Sequence, residues 1–183
     1  MQQYLLKDGQ VLTLREAEPG DAERLLAYIE QVAGESENLT MGPGEFELTV
    51  EQEQDYLQAS AASPTSLYLL AEIDGAIVGN ISFGAGKRQR IRHTGEFGIT
   101  VARSAWGLGI GGHLLAALIQ WARIGGIVRK INLFVRVDNV PAIHLYKKYG
   151  FQIEGTQTRE FYIRGEFIDV HLMGLHIDPE GVV

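Results

Sequence analysis

The segment that most constrains the fold is rich in glycine and lies directly before an apolar run, SAWGLGIGGHLLAALIQWAR at residues 104–123. Four of the six residues from 107 to 112 are glycine, and the apolar side chains that follow recur at helical spacing. Glycines cluster where the backbone needs positive φ or approaches another group closely. The segment therefore predicts a tight turn that leads into a helix over residues 110–124.

A turn of this kind after a strand suits a phosphate group. The unpaired N–H groups and the positive end of the helix dipole point at one spot. A P-loop would place Gly-Lys-Ser/Thr at the start of the helix, whereas this chain has Gly111, Gly112 and His113 there, so that type of site is excluded. A purely structural role, in which glycines allow close strand–helix packing, stays open.

Two other phosphate ligands fit the same requirement. Gly107, Gly109 and Gly112 satisfy the dinucleotide pattern G-x-G-x-x-G, and Asp138 lies beyond the next strand. However, the sequence predicts only one more helix after this point, which is too few for the remaining units of a doubly wound sheet. The pyrophosphate of coenzyme A is the other ligand with this chemistry.

Periodicity and turn signals divide the rest of the chain into alternating elements. Thr49 followed by Gln52 fits a capping box, Asp74-Gly75 and Arg164-Gly165 fit two-residue hairpin turns, and Asp138 or Asn139 can cap the last helix. The predicted strands are 11–17, 66–73, 76–84, 96–102, 130–137, 151–163 and 166–177, and the predicted helices are 22–32, 49–61, 110–124 and about 140–150. This order predicts one α/β domain over residues 1–183, with its core at about 11–177, and a mixed sheet.

Composition and charge exclude several classes of function. The chain has no cysteine, so thiolate metal sites and a cysteine nucleophile are excluded, and the histidines give no convincing metal-ligand spacing. We expect no metal. The net charge of −7 opposes nucleic-acid binding. No apolar run approaches the ~20 residues that span a bilayer, and the first residues lack a signal-peptide pattern, so we expect a cytoplasmic protein without a membrane partner.

Two motifs resemble the GNAT superfamily of N-acetyltransferases. WGLGIGGHLL is similar to its acyl-CoA turn, Arg or Gln, two residues, Gly, one residue, then Gly or Ala; Gly109 and Gly111 match, but Trp106 occupies the Arg/Gln position. The segment 139–151, NVPAIHLYKKYGF, resembles the pattern N-x-x-A-x-x-L-Y-x-x-x-G-F at every fixed position. The order of elements over about 11–177 is also similar to that family.

The resemblance implies a mostly antiparallel central sheet flanked by about four helices, with acetyl-CoA as co-substrate. It places the acetyl group and the pantetheine arm along the strand before the turn, and the pyrophosphate on the turn. The residues that it implies for cofactor binding are Ile99, Val101, Trp106, Gly107, Leu108, Gly109, Ile110, Gly111, Gly112, Asn139 and Tyr146. Asn139 would equally be satisfied as a helix cap without ligand.

The resemblance also implies two catalytic side chains. Glu96 corresponds to a glutamate that takes the proton of the amine through water, although an outward-facing strand carboxylate explains it as well. Tyr146 corresponds to the tyrosine that protonates the leaving thiolate, and it could otherwise be a packed helix residue. The absence of cysteine favours direct attack of the amine in a ternary complex.

The acceptor is predicted only as a class. Residues 25–86 contain ten acidic and no basic side chains, and the block from Glu35 to Asp55 would lie over the acceptor groove of the family, which indicates a cationic acceptor. The C-terminal segment resembles the branch that acetylates ribosomal-protein N-termini, polyamines or free amino acids. The partner is therefore expected to be a small-molecule amine or a peptide N-terminus, and the terminal strands could pair in a homodimer. A CoA-binding sensor of the same fold without transfer activity is the alternative.

Overall fold

The chain is built on one sheet of eight strands in the order β1-β2-β3-β4-β5-β6-β8-β7. The computed structural model describes residues 1–178; the last five residues of the predicted domain, 179–183, lie outside the described part. The strands are β1 Gln2–Leu5, β2 Val11–Glu16, β3 Ser66–Ile73, β4 Ala76–Ala85, β5 Thr94–Val101, β6 Lys130–Arg136, β7 Gln152–Ile163 and β8 Glu166–His176. Within this part of the chain the β5–β6 pair is parallel and the other neighbouring pairs are antiparallel. The predicted mixed, mostly antiparallel α/β class is confirmed.

Four α-helices cover the two faces of the sheet: α1 Ala22–Glu35, α2 Val50–Ala61, α3 Ile110–Gly125 and α4 Val140–Lys148. Successive residues of β3 point to opposite faces of the sheet. Leu69 packs in one apolar cluster with α3, and Leu70 packs in a second cluster with α1 and α2. The first face is called here the α3/α4 face and the second the α1/α2 face.

Local signals in the sequence explain where these elements begin and end. The Thr49 hydroxyl accepts from the Gln52 N–H at 3.2 Å, and the Gln52 side chain accepts from the Thr49 N–H at 2.9 Å, which completes the predicted capping box of α2. Asp74 and Gly75 both have positive φ, 50° and 79°, as a type I′ hairpin turn requires. Both predictions are confirmed. The prediction omitted β1, which pairs with β2 at the edge of the sheet.

A network of ion pairs fixes the start of α1 to the sheet. The Arg15 guanidinium on β2 donates to both carboxylate oxygens of Asp21 at 2.6 and 2.7 Å and to both of Glu72 at 2.9 and 2.7 Å. These bonds hold the pKa of Asp21 well below its usual range. Because α1 carries residues that face β5, the network also sets the position of one wall of the site described next.

Candidate active site

The parallel strands β5 and β6 separate in the middle of the sheet. The pairs between them in the described residues are Thr94 with Lys130, Gly95 with Ile131 and Glu96 with Asn132. β5 continues to Val101 paired with β4 alone, whereas β6 continues to Arg136 paired with β8. A fork therefore opens beyond Glu96, and it connects the two faces of the sheet.

The backbone of β5 presents polar groups to this fork. The Ala102 N–H donates to the Val78 carbonyl at 2.9 Å, so Ala102 and the residues two and four positions before it direct their N–H and C=O groups toward β4. The alternate residues, Ile99 and Val101, direct theirs the other way, where β6 has departed. Ile99 and Val101 thus form a free strand edge, as a ligand that adds to a sheet would need.

The glycine turn lies at the end of this strand edge. Gly107 and Gly109 adopt left-handed φ values of 80° and 87°, and Gly109 is the N-cap of α3. The Gly109 carbonyl accepts from the N–H groups of Gly112 and His113, so the N–H groups of Ile110 and Gly111 precede the first intrahelical bond. The turn therefore presents helix N-terminal donors close to the edge formed by Ile99 and Val101.

The other two glycines of the turn serve helix packing. A Cβ added at Gly111 would lie 3.3 Å from Leu145 Cδ2, and one added at Gly112 would lie 3.0 Å from Tyr149 Oη, both on or next to α4. Close packing of α3 on α4 thus accounts for Gly111 and Gly112. The structural role that the sequence left open applies to these two residues, whereas Gly107 and Gly109 shape the turn itself.

Trp106, the residue that departs from the family pattern, turns back onto the strand edge. Its indole Nε1 donates to the Val101 carbonyl at 2.7 Å, and its ring is about half exposed, at 52%. The Arg103 guanidinium lies 5.6 Å from the centre of the ring. Leu108, the remaining side chain of the turn, packs against the core. Trp106 therefore occupies the last carbonyl of the free edge.

Tyr146 on α4 packs against β5 from the α3/α4 face. Its ring packs edge-on against Phe97, with ring centres 5.8 Å apart, and also contacts Phe151. Burial raises the pKa of Tyr146 to about 12, with no hydrogen bond contributing to the shift. Asn139 begins the same helix, and its side-chain oxygen accepts from the Ala142 N–H at 3.3 Å. Asn139 thus has the capping role that the sequence offered as its alternative.

Glu96 lies at the same fork on the opposite face. It alternates with Phe97 along β5, so its side chain projects to the α1/α2 face, next to Gly98, while Phe97 and Tyr146 lie on the other. The Glu96 side chain is exposed, yet partial desolvation raises its pKa. The two predicted proton-handling residues therefore stand on opposite sides of the opening between β5 and β6.

Arginines from three segments hold the end of α1 and the loop that follows it. The Glu35 carboxylate accepts from the Arg103 N–H at 2.6 Å, the Glu37 carbonyl accepts from the Arg136 guanidinium at 2.6 Å, and Arg164 forms an ion pair with the Glu37 carboxylate at 2.5 Å. Two carboxylates of the predicted acidic block are thus engaged in anchoring the loop above the fork.

Sequence reasoning missed a chain of polar groups beneath α1 and α2. The Tyr28 and Thr100 hydroxyls lie 2.8 Å apart, the Thr100 hydroxyl donates to Asn80 Oδ1, and Asn80 Nδ2 donates to the Tyr68 hydroxyl at 2.9 Å. Glu53 on α2 lies close enough to Tyr68 for its charge to raise the pKa of that phenol. The only signal in the sequence was the helical spacing of Glu53 with Leu57 and Ser60, the buried stripe of α2.

Residues 1–178 contain neither a metal-binding cluster nor a helix suited to span a membrane. No group of three or more His, Cys, Asp or Glu side chains in residues 1–178 is arranged to hold a metal ion. None of the helices in this part of the chain is both long and apolar enough to cross a membrane.

Comparisons with known proteins agree with this geometry. The model of the acetyltransferase (GNAT) family matches residues 35–151. The L-amino acid N-acetyltransferase of Escherichia coli is 38% identical over 117 residues, which cover 62% of this chain and 70% of that protein. An acetyltransferase of the GNAT family from Streptococcus pneumoniae superposes with a TM-score of 0.89 at 40% identity, covering 91% of this chain and 99% of that one.

A third similarity extends the agreement in fold. A protein from Salmonella typhimurium, solved with its cofactor acetyl-CoA, superposes with a TM-score of 0.80 at 21% identity, covering 93% of this chain and 96% of that one. The family match covers the forked strands, the glycine turn and α4. The chain therefore belongs to the GNAT family of acetyltransferases.

Proposed function

We propose that the protein transfers an acetyl group from acetyl-CoA to the primary amine of a small cationic molecule, an amino acid or a protein N-terminus. The observation that carries the proposal is the free edge of Ile99 and Val101, which leads directly to the helix N-terminal amides of the glycine turn. The free strand edge can pair with the amide groups of a pantetheine arm, and the amides at the helix N-terminus can bind a pyrophosphate. Acetyl-CoA carries both groups in this order.

The donor is assigned to residues on the α3/α4 face. The pyrophosphate lies against the turn from Trp106 to Gly112, where Ile110 and Gly111 supply N–H groups. The pantetheine arm follows the edge of Ile99 and Val101. The side-chain oxygen of Asn139 caps α4, and its side-chain NH2 group contacts the pantetheine arm.

The amine enters from the α1/α2 face, where Glu96 takes its proton through water. An amine with the lysine-like pKa of ~10.4 is only about 0.04% neutral at pH 7, a barrier of roughly 4.6 kcal/mol. Glu96 suits the role because desolvation raises its pKa toward the working range while the side chain stays accessible. The free amine then attacks the thioester carbon.

The transfer step needs one donor for the oxyanion and one for the leaving sulfur. A backbone N–H of the edge from Ile99 to Val101 stabilises the oxygen of the tetrahedral intermediate. As the carbon–sulfur bond breaks, the electron pair stays on sulfur, and the Tyr146 hydroxyl supplies its proton. A phenol with a pKa of about 12 is fully protonated at neutral pH, so this proton is present in each cycle.

Direct attack fits the composition of the chain. No cysteine is present to form an acetyl-enzyme through a thiolate, so both substrates bind before transfer and the kinetics are sequential. The cytoplasmic location, the homodimer and the absence of a nucleic-acid partner stay predictions.

A thiol-release assay tests the proposal. Acetyl-CoA is mixed with polyamines, amino acids or N-terminal peptides, and we expect CoA release with at least one of these amines. Binding of acetyl-CoA without turnover on every acceptor would instead support the sensor of the same fold. The E. coli relative makes free amino acids the first acceptors to examine.

Trp106→Phe tests whether backbone amides dominate donor binding. The variant keeps an aromatic ring and removes the bond to the Val101 carbonyl, so we expect the unfolding free energy to fall by about 1 kcal/mol. We expect the Kd of acetyl-CoA, measured by calorimetry, to change less than about threefold, which is under 1 kcal/mol. A tenfold or larger weakening would show that the indole itself contacts the donor.

A further inference from the structure

Glu53 is a buried carboxylate without a partner in the described part of the chain. It is 1% exposed, and burial alone raises its pKa, with no hydrogen bond or ion pair opposing the shift. Burying a carboxyl group is costly unless it is paired or hydrogen-bonded. A carboxyl group kept in this state points to a function in which a donor arrives from outside the chain.

Four other acidic side chains on α1 and in the loop after it are already engaged. Glu30 accepts from the Gly44 N–H at 3.0 Å, and Glu45 accepts from the Gly42 N–H at 2.6 Å. Glu35 and Glu37 are held by Arg103 and Arg164. These four carboxylates shape the loop after α1, which distinguishes them from Glu53.

Two tyrosine rings form a corner beside Glu53. Tyr56 follows Glu53 by three residues on α2, so the two side chains are neighbours on the helix surface. The Tyr56 ring meets the Tyr68 ring of β3 at 83°, with centres 6.1 Å apart. The negative charge of Glu53 raises the pKa of both phenols, as expected of groups in close proximity. A carboxylate beside two perpendicular aromatic rings has the chemistry of an ammonium site.

The polar chain under α1 fixes the orientation of Tyr68. Asn80 Oδ1 can only accept a hydrogen bond, so the Thr100 hydroxyl donates its proton to it. The Thr100 oxygen must then accept from the Tyr28 hydroxyl. Asn80 Nδ2 donates to the Tyr68 oxygen at 2.9 Å. Tyr68 is therefore held in place from the β5 side, and because an amide cannot relay a proton in this arrangement, the chain acts as a rigid support for the corner.

The surface of the sheet between this corner and the fork carries few side chains. Tyr68 is paired with Ser82, and Ser82 is paired with Gly98 of β5, so the corner lies two strand spacings, about 10 Å, from the free edge. Gly84 and Gly98 carry no side chain, and a Cβ added at Gly84 would meet no atom within 4 Å. Tyr56 is 48% exposed, so one member of the corner lies at the surface, whereas Glu53 and Tyr68 are buried.

We propose that Glu53, Tyr56 and Tyr68 form a subsite for a second cationic group of the acceptor. The subsite rests on the proposed function, because it assumes that the reacting nitrogen lies at the fork beside Glu96. The acceptor is then a molecule with two separated cationic groups, such as a linear diamine, that lies across β4 with its far ammonium at Glu53.

The test compares linear diamines of increasing length with monoamines of the same length. In the wild type we expect a preference in kcat/KM for diamines of one length range. Glu53→Gln keeps the shape of the side chain and removes its charge, and we expect the diamine preference to fall by about 10- to 100-fold, with monoamine turnover and acetyl-CoA affinity unchanged. Glu51→Gln is the matched control, since Glu51 is exposed on the same helix.

Calorimetric binding of the diamine separates this proposal from the proposed function. Diamine binding that depends on Glu53 without acetyl transfer would leave the subsite standing and contradict the proposed function. Acetyl transfer with a diamine preference that is unaffected by Glu53→Gln, or affected equally by Glu51→Gln, would overturn the subsite and leave the proposed function intact. Tyr56→Leu gives an independent check, because it removes one wall of the corner from an exposed position.

Discussion

Replacing Tyr146 with phenylalanine is expected to lower kcat by about 10²- to 10³-fold, the range typical of a lost proton donor. The variant keeps the ring that packs against Phe97 and Phe151 and removes only the hydroxyl. Burial alone raises the pKa of this hydroxyl, so we expect its loss to leave no unsatisfied partner within residues 1–178. The acetyl-CoA Kd and the melting temperature should therefore stay at their wild-type values.

The pH profile sharpens this test. A pKa of about 12 keeps Tyr146 protonated at neutral and moderately alkaline pH, so the wild-type rate should show no alkaline loss from this group in that range. Tyr162→Phe is the control, since Tyr162 is 66% exposed on the β7–β8 hairpin. Full kcat in Tyr146→Phe would remove the residue from catalysis and leave it as a packing residue of α4.

Glu96→Gln is expected to lower kcat/KM by about 10²-fold at neutral pH, because the acceptor then loses the group that removes its proton. The loss should shrink as the pH approaches the acceptor pKa of ~10.4, where the amine becomes neutral without help. Initial rates of thiol release across this pH range, at saturating acetyl-CoA, measure the effect.

The sign at low pH follows from the raised pKa of Glu96. Desolvation raises it above the ordinary value, so the wild-type kcat/KM should fall as the pH drops through that raised pKa and the carboxylate becomes protonated. Glu96→Gln should lack this acidic limb. Identical profiles in the two proteins would mean that Glu96 is only an exposed strand residue. Glu154→Gln serves as a control, because Glu154 pairs with Lys130 near the same fork.

The parts of the fold that follow from local chemistry could be predicted from the sequence. The capping box at Thr49 and the turn at Asp74-Gly75 depend on residues adjacent in the chain, and both occur as expected. Edge strand β1 could not be predicted in this way. Its residues, QQYL, are polar and mostly exposed, and they form a strand only because β2 offers an edge for pairing.

In the candidate site, too, the features that depend on local residues could be predicted, and those that depend on tertiary packing could not. The glycine turn could be predicted because positive φ at Gly107 and Gly109 is a property of the residues themselves. The fork between β5 and β6 depends on strand register, which local patterns do not determine, so the sequence did not predict it; the family resemblance placed only the acetyl group and the pantetheine arm along the strand before the turn. Burial of Glu53 depends on how α2 packs on β3, and the bond from Trp106 to Val101 depends on how the turn folds back.

The central claim is that the backbone amides at the start of α3, together with the free edge of β5, bind acetyl-CoA. Calorimetric titration with acetyl-CoA tests this most directly, with Gly109→Val as the comparison, because valine is strained at the φ of 87° that shapes the turn. The account predicts saturable binding at one site per chain in the wild type and a loss of at least about tenfold in affinity in the variant. The absence of binding in a folded wild-type protein, or equal affinity in folded Gly109→Val, would contradict it.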